Sequence, residues 1–255
     1  LPVVLPDINL DTNTSCLQDI TDFYHTNCPK CSKAAHRETD TLDTFVDSSW
    51  YMLRFINPQH TEGPFDQTLA EEWLPVDQYT GGAEHAVMHL LYARFFTKAM
   101  RDLGLLKFNE PFLRLYNQGT IIASGAKMSK SRGNVINPDE YTQTLGADVV
   151  RAYLMFLGPW DQGGDWTDTG INGVARWMNR VWDLANRDTS SLDEHTTDSG
   201  AARDLQRLVH KTVRRVSEDV ERFKYNTALA AQMEFTNSLN QAWERGGIPS
   251  SEWAG

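Results

Sequence analysis

The chain has 255 residues, 40% of them hydrophobic and 11% aromatic, which suits one large domain or two modest ones around a packed core and excludes disorder as the overall state. A formal net charge of −10 argues against indiscriminate nucleic-acid binding through counterion release, while leaving room for an RNA docked on a local basic stripe. No apolar run approaches the roughly 18 residues of a membrane helix, no charged-then-apolar leader opens the chain, and Cys16, Cys28 and Cys31 are too few for a disulfide scaffold, so a cytoplasmic protein with no membrane partner is expected.

Residues 1 to 44 read as irregular, with a proline-bounded start, a polar stretch from Asp11 to Ser15, and the string His25-Thr-Asn-Cys-Pro-Lys-Cys31. From Phe45 to about Leu157, apolar strand-like runs alternate with longer helical patterns, which predicts α/β layering. Tyr51 to Phe55 is short and aromatic, and with the alternating segment before it reads as a buried strand. Val76 to Thr80 is strand-like. Glu84 to Leu103 repeats Val87, Leu90, Leu91, Phe95, Met100 and Leu103 at helical spacing until Gly104 stops it. Phe112 to Tyr116 and Thr120 to Ala123 read as strands, and Pro138-Asp-Glu opens a helix with acids at the positive end of its dipole. After Asp168 the pattern is helical over Gly170 to Ala185, Ala201 to Phe223 and Asn226 to Ala242, with a polar join from Asp188 to Gly200; Leu205, Val209, Val213, Val216, Val220 and Phe223 form an apolar stripe, as in a helical bundle.

Four groups of residues carry chemistry. Lys127-Met128-Ser129-Lys130-Ser131 places two lysines three positions apart and two hydroxyls between Gly125 and Gly133, which suits a polyanion such as a triphosphate. The glycines permit positive φ and let the loop open and close. Tyr79-Thr-Gly81-Gly82-Ala-Glu84-His85-Ala-Val-Met-His89 brings a glycine pair into a predicted helix, where histidines at i and i+4 share one face. Glu84 precedes the first histidine, so the H-E-x-x-H order of a zinc peptidase is not present. Cys28 and Cys31 have the spacing of half a zinc ribbon, a site that needs four ligands; Cys16, His25 and His36 are the other donors nearby, with irregular spacing. Arg176 and Arg180, followed by Arg203, Arg207, Lys211, Arg214 and Arg215, read equally as a stripe that tracks phosphates or as a solvated face paired with Glu218, Asp219 and Glu221.

The K-M-S-K-S string resembles the signature of class I aminoacyl-tRNA synthetases, and the text around it, from about Pro2 to about Asn240, is similar to the leucyl-tRNA synthetase family, including Asp43-Thr-Phe45-Val-Asp47-Ser48-Ser49-Trp50-Tyr51. That resemblance implies an α/β fold followed by an all-α part. Residues 1–44 would be a zinc-ribbon-like connection, 45–168 the second half of a Rossmann-like catalytic domain, and 169–255 a truncated anticodon-binding helical domain. It implies ATP with Mg2+, leucine and tRNA(Leu) as ligands, with zinc not expected in this chain. The residue roles follow: Lys127 and Lys130 in catalysis; Gly81, Gly82, Glu84, Met128, Ser129 and Lys130 on ATP; Phe45, Ser48, Tyr51, Tyr79, His85 and His89 on leucine; Arg176, Arg180, Arg207 and Lys211 on tRNA. No H-I-G-H tetrapeptide, first half of the nucleotide fold or editing insertion is found, so the expected partner is the missing N-terminal part of a synthetase, without which the chain is inactive. Valyl-, isoleucyl- and methionyl-tRNA synthetases share the loop, and a non-catalytic RNA-binding or scaffold module and an unrelated nucleotide-binding protein stand as the other readings.

Overall fold

The computed structural model describes residues 4–6, 17–190, 192, 199–246 and 250–253. Cys16 and most of the polar join before Gly200 lie outside these residues. The chain falls into two compact units, one formed by Leu1–Trp73 with Val87–Pro111 and the other by Leu74–Ala86 with Phe112–Gly255.

The first unit contains helix α1 (Thr21–Tyr24), an antiparallel hairpin of β1 (His25–Asn27) and β2 (Ala34–His36), and helices α2 (Phe45–Ser48), α3 (Tyr51–Ile56), α4 (Gln67–Trp73) and α5 (His89–Asp102). The hairpin corrects the expectation that residues up to 44 are irregular. His25 pairs with His36, and the Tyr24 ring stacks on His36 at 4.4 Å. The strand expected around Tyr51 is also corrected, because residues 45–56 are helical. The polar residues that looked like the outward half of a strand satisfy helix ends instead: Asp43 Oδ1 accepts from the Phe45 N–H at 2.8 Å, and the hydroxyls of Ser48 and Ser49 donate to the carbonyls of Phe45 and Val46.

Helix α5 buries His89, Leu90, Ala93 and Thr97, whereas Leu91, Phe95 and Leu103 of the predicted stripe are exposed. Apart from Leu90, small and polar residues therefore make its close contact, and these a search for large apolar side chains passes over. Gly104, at φ 78°, ends the helix as expected; its N–H donates to the Arg101 carbonyl and that of Leu105 to Met100. Glu110 ties the following loop back to α5, accepting from Arg94 at 2.8 and 2.9 Å and from Lys98 at 2.6 Å. Hydrogen bonds from Arg94 first, then Lys98, hold its carboxyl down at about 2. A depressed carboxylate adds stability that is complete above its ordinary value of 4.5 and is lost as pH falls towards about 2. Glu110→Gln should therefore cost under about 1 kcal/mol at neutral pH, because the pairs are solvent-screened, and the gap should close across that acid window. Urea unfolding of both proteins at stepped pH checks this; a gap that persists at the acid end would dissociate it from Glu110 ionisation.

The second unit opens on strand β3 (Tyr79–Gly82), parallel to β4 (Leu115–Gln118). A single bridge between Val76 and Phe112 precedes this pair, so both ladders run a few residues further along the chain than the apolar runs predicted. After Gly119 comes a second sheet with strand order β6-β5-β7, in which β5 (Thr120–Ala123) pairs antiparallel with β6 (Ala126–Lys127) and parallel with β7 (Gly163–Trp166). Helices α6 (Pro138–Leu145), α7 (Ala147–Phe156), α8 (Asp168–Ala185), α9 (Ser199–Glu221), α10 (Tyr225–Arg245) and α11 (Ser250–Trp253) complete the unit.

One core joins the sheet to these helices: Val149, Val150 and Tyr153 of α7, Trp166 of β7, and Ile171, Val174 and Trp177 of α8, with Leu229 and Met233 of α10 packed against it. Burying each large side chain of this kind contributes roughly 1.5–3 kcal/mol. Two of the polar side chains inside are paired, whereas Trp166 Nε1 has no hydrogen-bond partner among the described residues. Trp177 donates from Nε1 to Thr236 Oγ1 at 3.0 Å, and the Tyr153 hydroxyl accepts from the Thr167 N–H at 2.9 Å and donates to the Thr167 carbonyl at 3.0 Å. Thr167 in turn caps α8 by accepting from the Gly170 N–H. On α9, Leu205 is buried, but Val209, Val213 and Val220 of the expected stripe are exposed, so the helix rests on a neighbouring face.

Candidate functional site

The lysine loop grows directly from sheet geometry. Ser124 and Gly125 both have positive φ (56° and 70°) and form the two-residue turn between β5 and β6, with Ala123 opposite Ala126. Asp165 of β7 accepts from the Gly125 N–H at 3.0 Å, tying the turn to the parallel partner strand. Lys127 ends β6, and Met128 then turns inward against the Val149–Trp177 core. Lys130–Arg132 form a single 3-10 turn, closed by Gly133 at φ 67°.

The expected glycine hinges are thus both in the left-handed region. Lys127 and Lys130 are exposed, and among the described residues neither has a carboxylate within ion-pairing distance. The Ser129 and Ser131 hydroxyls share a hydrogen bond at 2.7 Å, which leaves one hydroxyl proton free to donate, in the same loop as the two lysines. This is an arrangement that can bind a polyphosphate through charge and directed hydrogen bonds.

The sequence reading missed Asn134. Its Oδ1 accepts from the Ser129 N–H at 2.9 Å, while its Nδ2 lies 3.3, 3.4 and 3.3 Å from the carbonyls of Ala123, Ala126 and Lys127. The Gly133-Asn134 dipeptide following the lysines was the available signal, as a turn pair.

Gly81 and Gly82 end β3 at the carboxyl side of its parallel pair, just as the lysine loop follows the carboxyl end of β5 in the other. Carboxyl ends of parallel strands are where α/β sheets receive ligands. A Cβ on Gly81 would enter open space, whereas one on Gly82 would collide with the Glu84 carboxylate, which lies over that backbone. Tyr79 stacks on Phe112 at 3.8 Å.

The shared face expected for His85 and His89 is corrected. Ala83–Val87, with His85, is a 3-10 turn; Met88 is non-helical (φ −122°, ψ −111°), and α5 starts only at His89. The break means that the i, i+4 argument, which needs one continuous helix, does not apply to these two residues. Within the first unit, His89 is buried with its ring 6.3 Å from that of Tyr51, and Phe45 lies 6.1 Å from Tyr92. Phe45, Ser48, Tyr51 and His89 therefore belong to the first unit, and Tyr79, His85 and the lysine loop to the second.

Cys28 and Cys31 sit in the tight turn between β1 and β2, where the backbone N–H groups of Lys30 and then Cys31, and next the Cys31 thiol, lower the Cys28 thiol pKa. The Cys28 and Cys31 pair supplies two of the four donors of a tetrahedral site. Among the described residues no third His, Cys, Asp or Glu converges to form a metal group.

Arg180 donates to Asn237 Oδ1 at 2.9 Å and lines a polar groove of about 460 Å³ with Arg187, Asn240 and Glu244. Arg207 pairs with Asp204 at 3.3 Å; Arg176 and Lys211 are exposed. Among the described residues no helix is long and apolar enough to cross a membrane.

The model of the tRNA synthetases class I (I, L, M and V) family matches residues 11–165. The chain belongs to this family. Leucine–tRNA ligases align with 99% of it, that of Dehalococcoides mccartyi at 50% identity over 255 residues and that of Rubrobacter xylanophilus at 54% over 257. The chain spans about a third of the length of these relatives, 31% and 30% respectively. A crystal structure of the ternary complex of Agrobacterium radiobacter LeuRS, tRNA and LeuAMS superposes on 100% of the chain and 33% of its own with a TM-score of 0.85 at 37% identity. Mycobacterium tuberculosis methionyl-tRNA synthetase bound by methionyl-adenylate matches 86% of the chain and 41% of its own at a TM-score of 0.59 and 19% identity, a likeness of fold. The α/β part followed by helices is accordingly the architecture of this class of synthetase.

Proposed function

We propose that this chain is part of a leucine–tRNA ligase that activates leucine on ATP as leucyl-adenylate and passes it to tRNA(Leu). The observation that carries the reading is the alignment of leucine–tRNA ligases with 99% of the chain, lysine loop included. The neighbouring complex with tRNA and LeuAMS supports both polymer and adenylate as ligands.

Activation requires in-line attack of the leucine carboxylate on the α-phosphate, with negative charge growing on the departing pyrophosphate. Lys130, supported by Lys127 and the hydroxyl pair, is suited to that charge, and its contribution would be positioning and electrostatic stabilisation. Gly81, Gly82 and Glu84 are proposed for the nucleotide, with Glu84 accepting from ribose hydroxyls, while Met128 and Ser129 seat the loop beside it. ATP would arrive with its Mg2+ held by the phosphates. Mg2+ commonly keeps its waters and substrate oxygens, and no three-ligand protein cage exists among the described residues.

Leucine recognition is proposed for the aromatic cluster of the first unit, Phe45, Ser48, Tyr51 and His89, where shape must discriminate because one methylene is worth only about 1–3 kcal/mol. The exposed arginines and Lys211, with the groove at Arg180, would meet tRNA phosphates. The remaining polypeptide of the ligase, its N-terminal part included, is the partner in which the reaction would run, and the cytoplasm is its proposed place.

Replacing the corresponding third of the Dehalococcoides mccartyi ligase by this chain tests the reading. The chimaera should support leucine-dependent exchange of pyrophosphate into ATP and should charge tRNA(Leu). Exchange driven instead by valine, isoleucine or methionine would move the assignment to another member of the family, and tRNA binding with no exchange would favour a scaffold.

A further inference from the structure

We propose that Asn134 is the residue that positions the lysine loop for catalysis, a clasp whose side-chain amide sets the spacing of the two ammonium groups; the inference rests on the ligase reading above. The amide reaches both ends of the loop at once. Its oxygen receives the Ser129 N–H at 2.9 Å, immediately before the Lys130 turn, and its nitrogen faces the carbonyls of Ala123, Ala126 and Lys127 at 3.3, 3.4 and 3.3 Å. The orientation is forced, because the reverse flip would set the amide oxygen against three carbonyl oxygens and its nitrogen against an N–H.

The backbone around the clasp is otherwise weakly held. β6 has two residues, the 3-10 turn has three, and a Cβ at Gly125 or Gly133 would meet nothing within 4 Å. A surface segment so poorly packed has many conformations open to it, and its lysines act on a developing charge only if few of these are populated. Met128, on the core, and Asp165, at Gly125, anchor one side of the loop. Asn134 is the side chain that connects that side with the backbone of Ser129, and thereby with Lys130.

Asn134 touches no reacting atom in this scheme, so its effect must be confined to the loop and to the step the loop serves. Two substitutions separate its parts. N134A removes every contact, and the isosteric N134D keeps the oxygen that receives the Ser129 N–H but loses the donors to the three carbonyls. In the chain itself, trypsin cleavage after Lys127, Lys130 and Arg132, followed by mass spectrometry, should accelerate about tenfold in both variants, with cleavage elsewhere and the melting temperature little changed. In the chimaera, kcat for leucine-dependent exchange should fall by about 10- to 100-fold with KM for leucine within about twofold.

Unchanged loop cleavage, or accelerated cleavage with unchanged kcat, overturns the proposal. So does a loss shared equally by leucine KM and melting temperature, since that is the mark of general loosening. If the unsubstituted chimaera fails with leucine, the ligase reading fails, and the cleavage comparison still decides whether Asn134 holds the loop.

Discussion

Lys130→Ala in the chimaeric ligase should slow leucyl-adenylate formation by about two to three orders of magnitude, the usual cost of deleting one preorganised charge-stabilising donor. Leucine affinity should stay within about twofold, because the side chain belongs to the loop proposed for the phosphates and not to the residues around Tyr51 proposed for leucine. Stability should shift by less than about 0.5 kcal/mol, since Lys130 is exposed and makes no ion pair among the described residues. The expected combination is a lower rate with intact folding and intact leucine binding. Single-turnover formation of adenylate, read beside equilibrium leucine binding, measures both halves. A wild-type single-turnover rate would remove Lys130 from the chemistry and leave the loop a solvated basic turn. Lys127→Ala should be milder, as its ammonium stands at the end of β6, one step back from the 3-10 turn.

The loop was legible in the sequence because its chemistry is local: two lysines, two hydroxyls and two bounding glycines lie within nine residues, and the glycines take the positive φ that their position requires. The long helices α8 to α10 were legible through their period, and the start of α6 through Pro138 and the acids after it; the structure adds Asn137, whose side chain accepts from the Asp139 N–H. What was not legible depends on distant partners. The segment from Phe45 to Ile56 has strand-like composition, yet Asp43 and the serines turn it helical against α5. Intrinsic β preference is weak enough for such contacts to override it. The buried face of α5 is chosen by its neighbours, which is why Ala93 and Thr97 lie inside while Phe95 does not. Asn134 and Asp165 belong to the same class. Each is an ordinary polar residue in sequence, and each acquires a role only when the pairing of β5 with β6 and β7 brings loop backbone to it.

That pairing makes Gly163→Ala the substitution with the largest expected structural effect. Gly163 has φ +76°, and a Cβ there would strike the Thr120 carbonyl oxygen, with the Thr120 carbonyl carbon at 2.6 Å and nitrogen at 2.7 Å. These are backbone atoms of β5, so no rotamer change relieves the clash, and Thr120 opposite Gly163 is the first rung of the parallel ladder. Overpacking of about 1–3 kcal/mol together with left-handed strain of about 1–2 kcal/mol gives an expected loss of roughly 2–5 kcal/mol. Gly133→Ala supplies the comparison, because it has similar φ with nothing within 4 Å and should cost only the strain, about 1–2 kcal/mol. Urea unfolding of the two variants measures the difference. The damage should also reach the chemistry: displacing β7 moves Asp165 from the Gly125 N–H, frees the turn that leads to Lys127, and should lower exchange by the chimaera under conditions where Gly163→Ala remains folded. Gly163→Ala within about 1 kcal/mol of the parent would mean that β5 and β7 do not meet in this register, and the support proposed for the lysine loop would have to come from elsewhere in the unit.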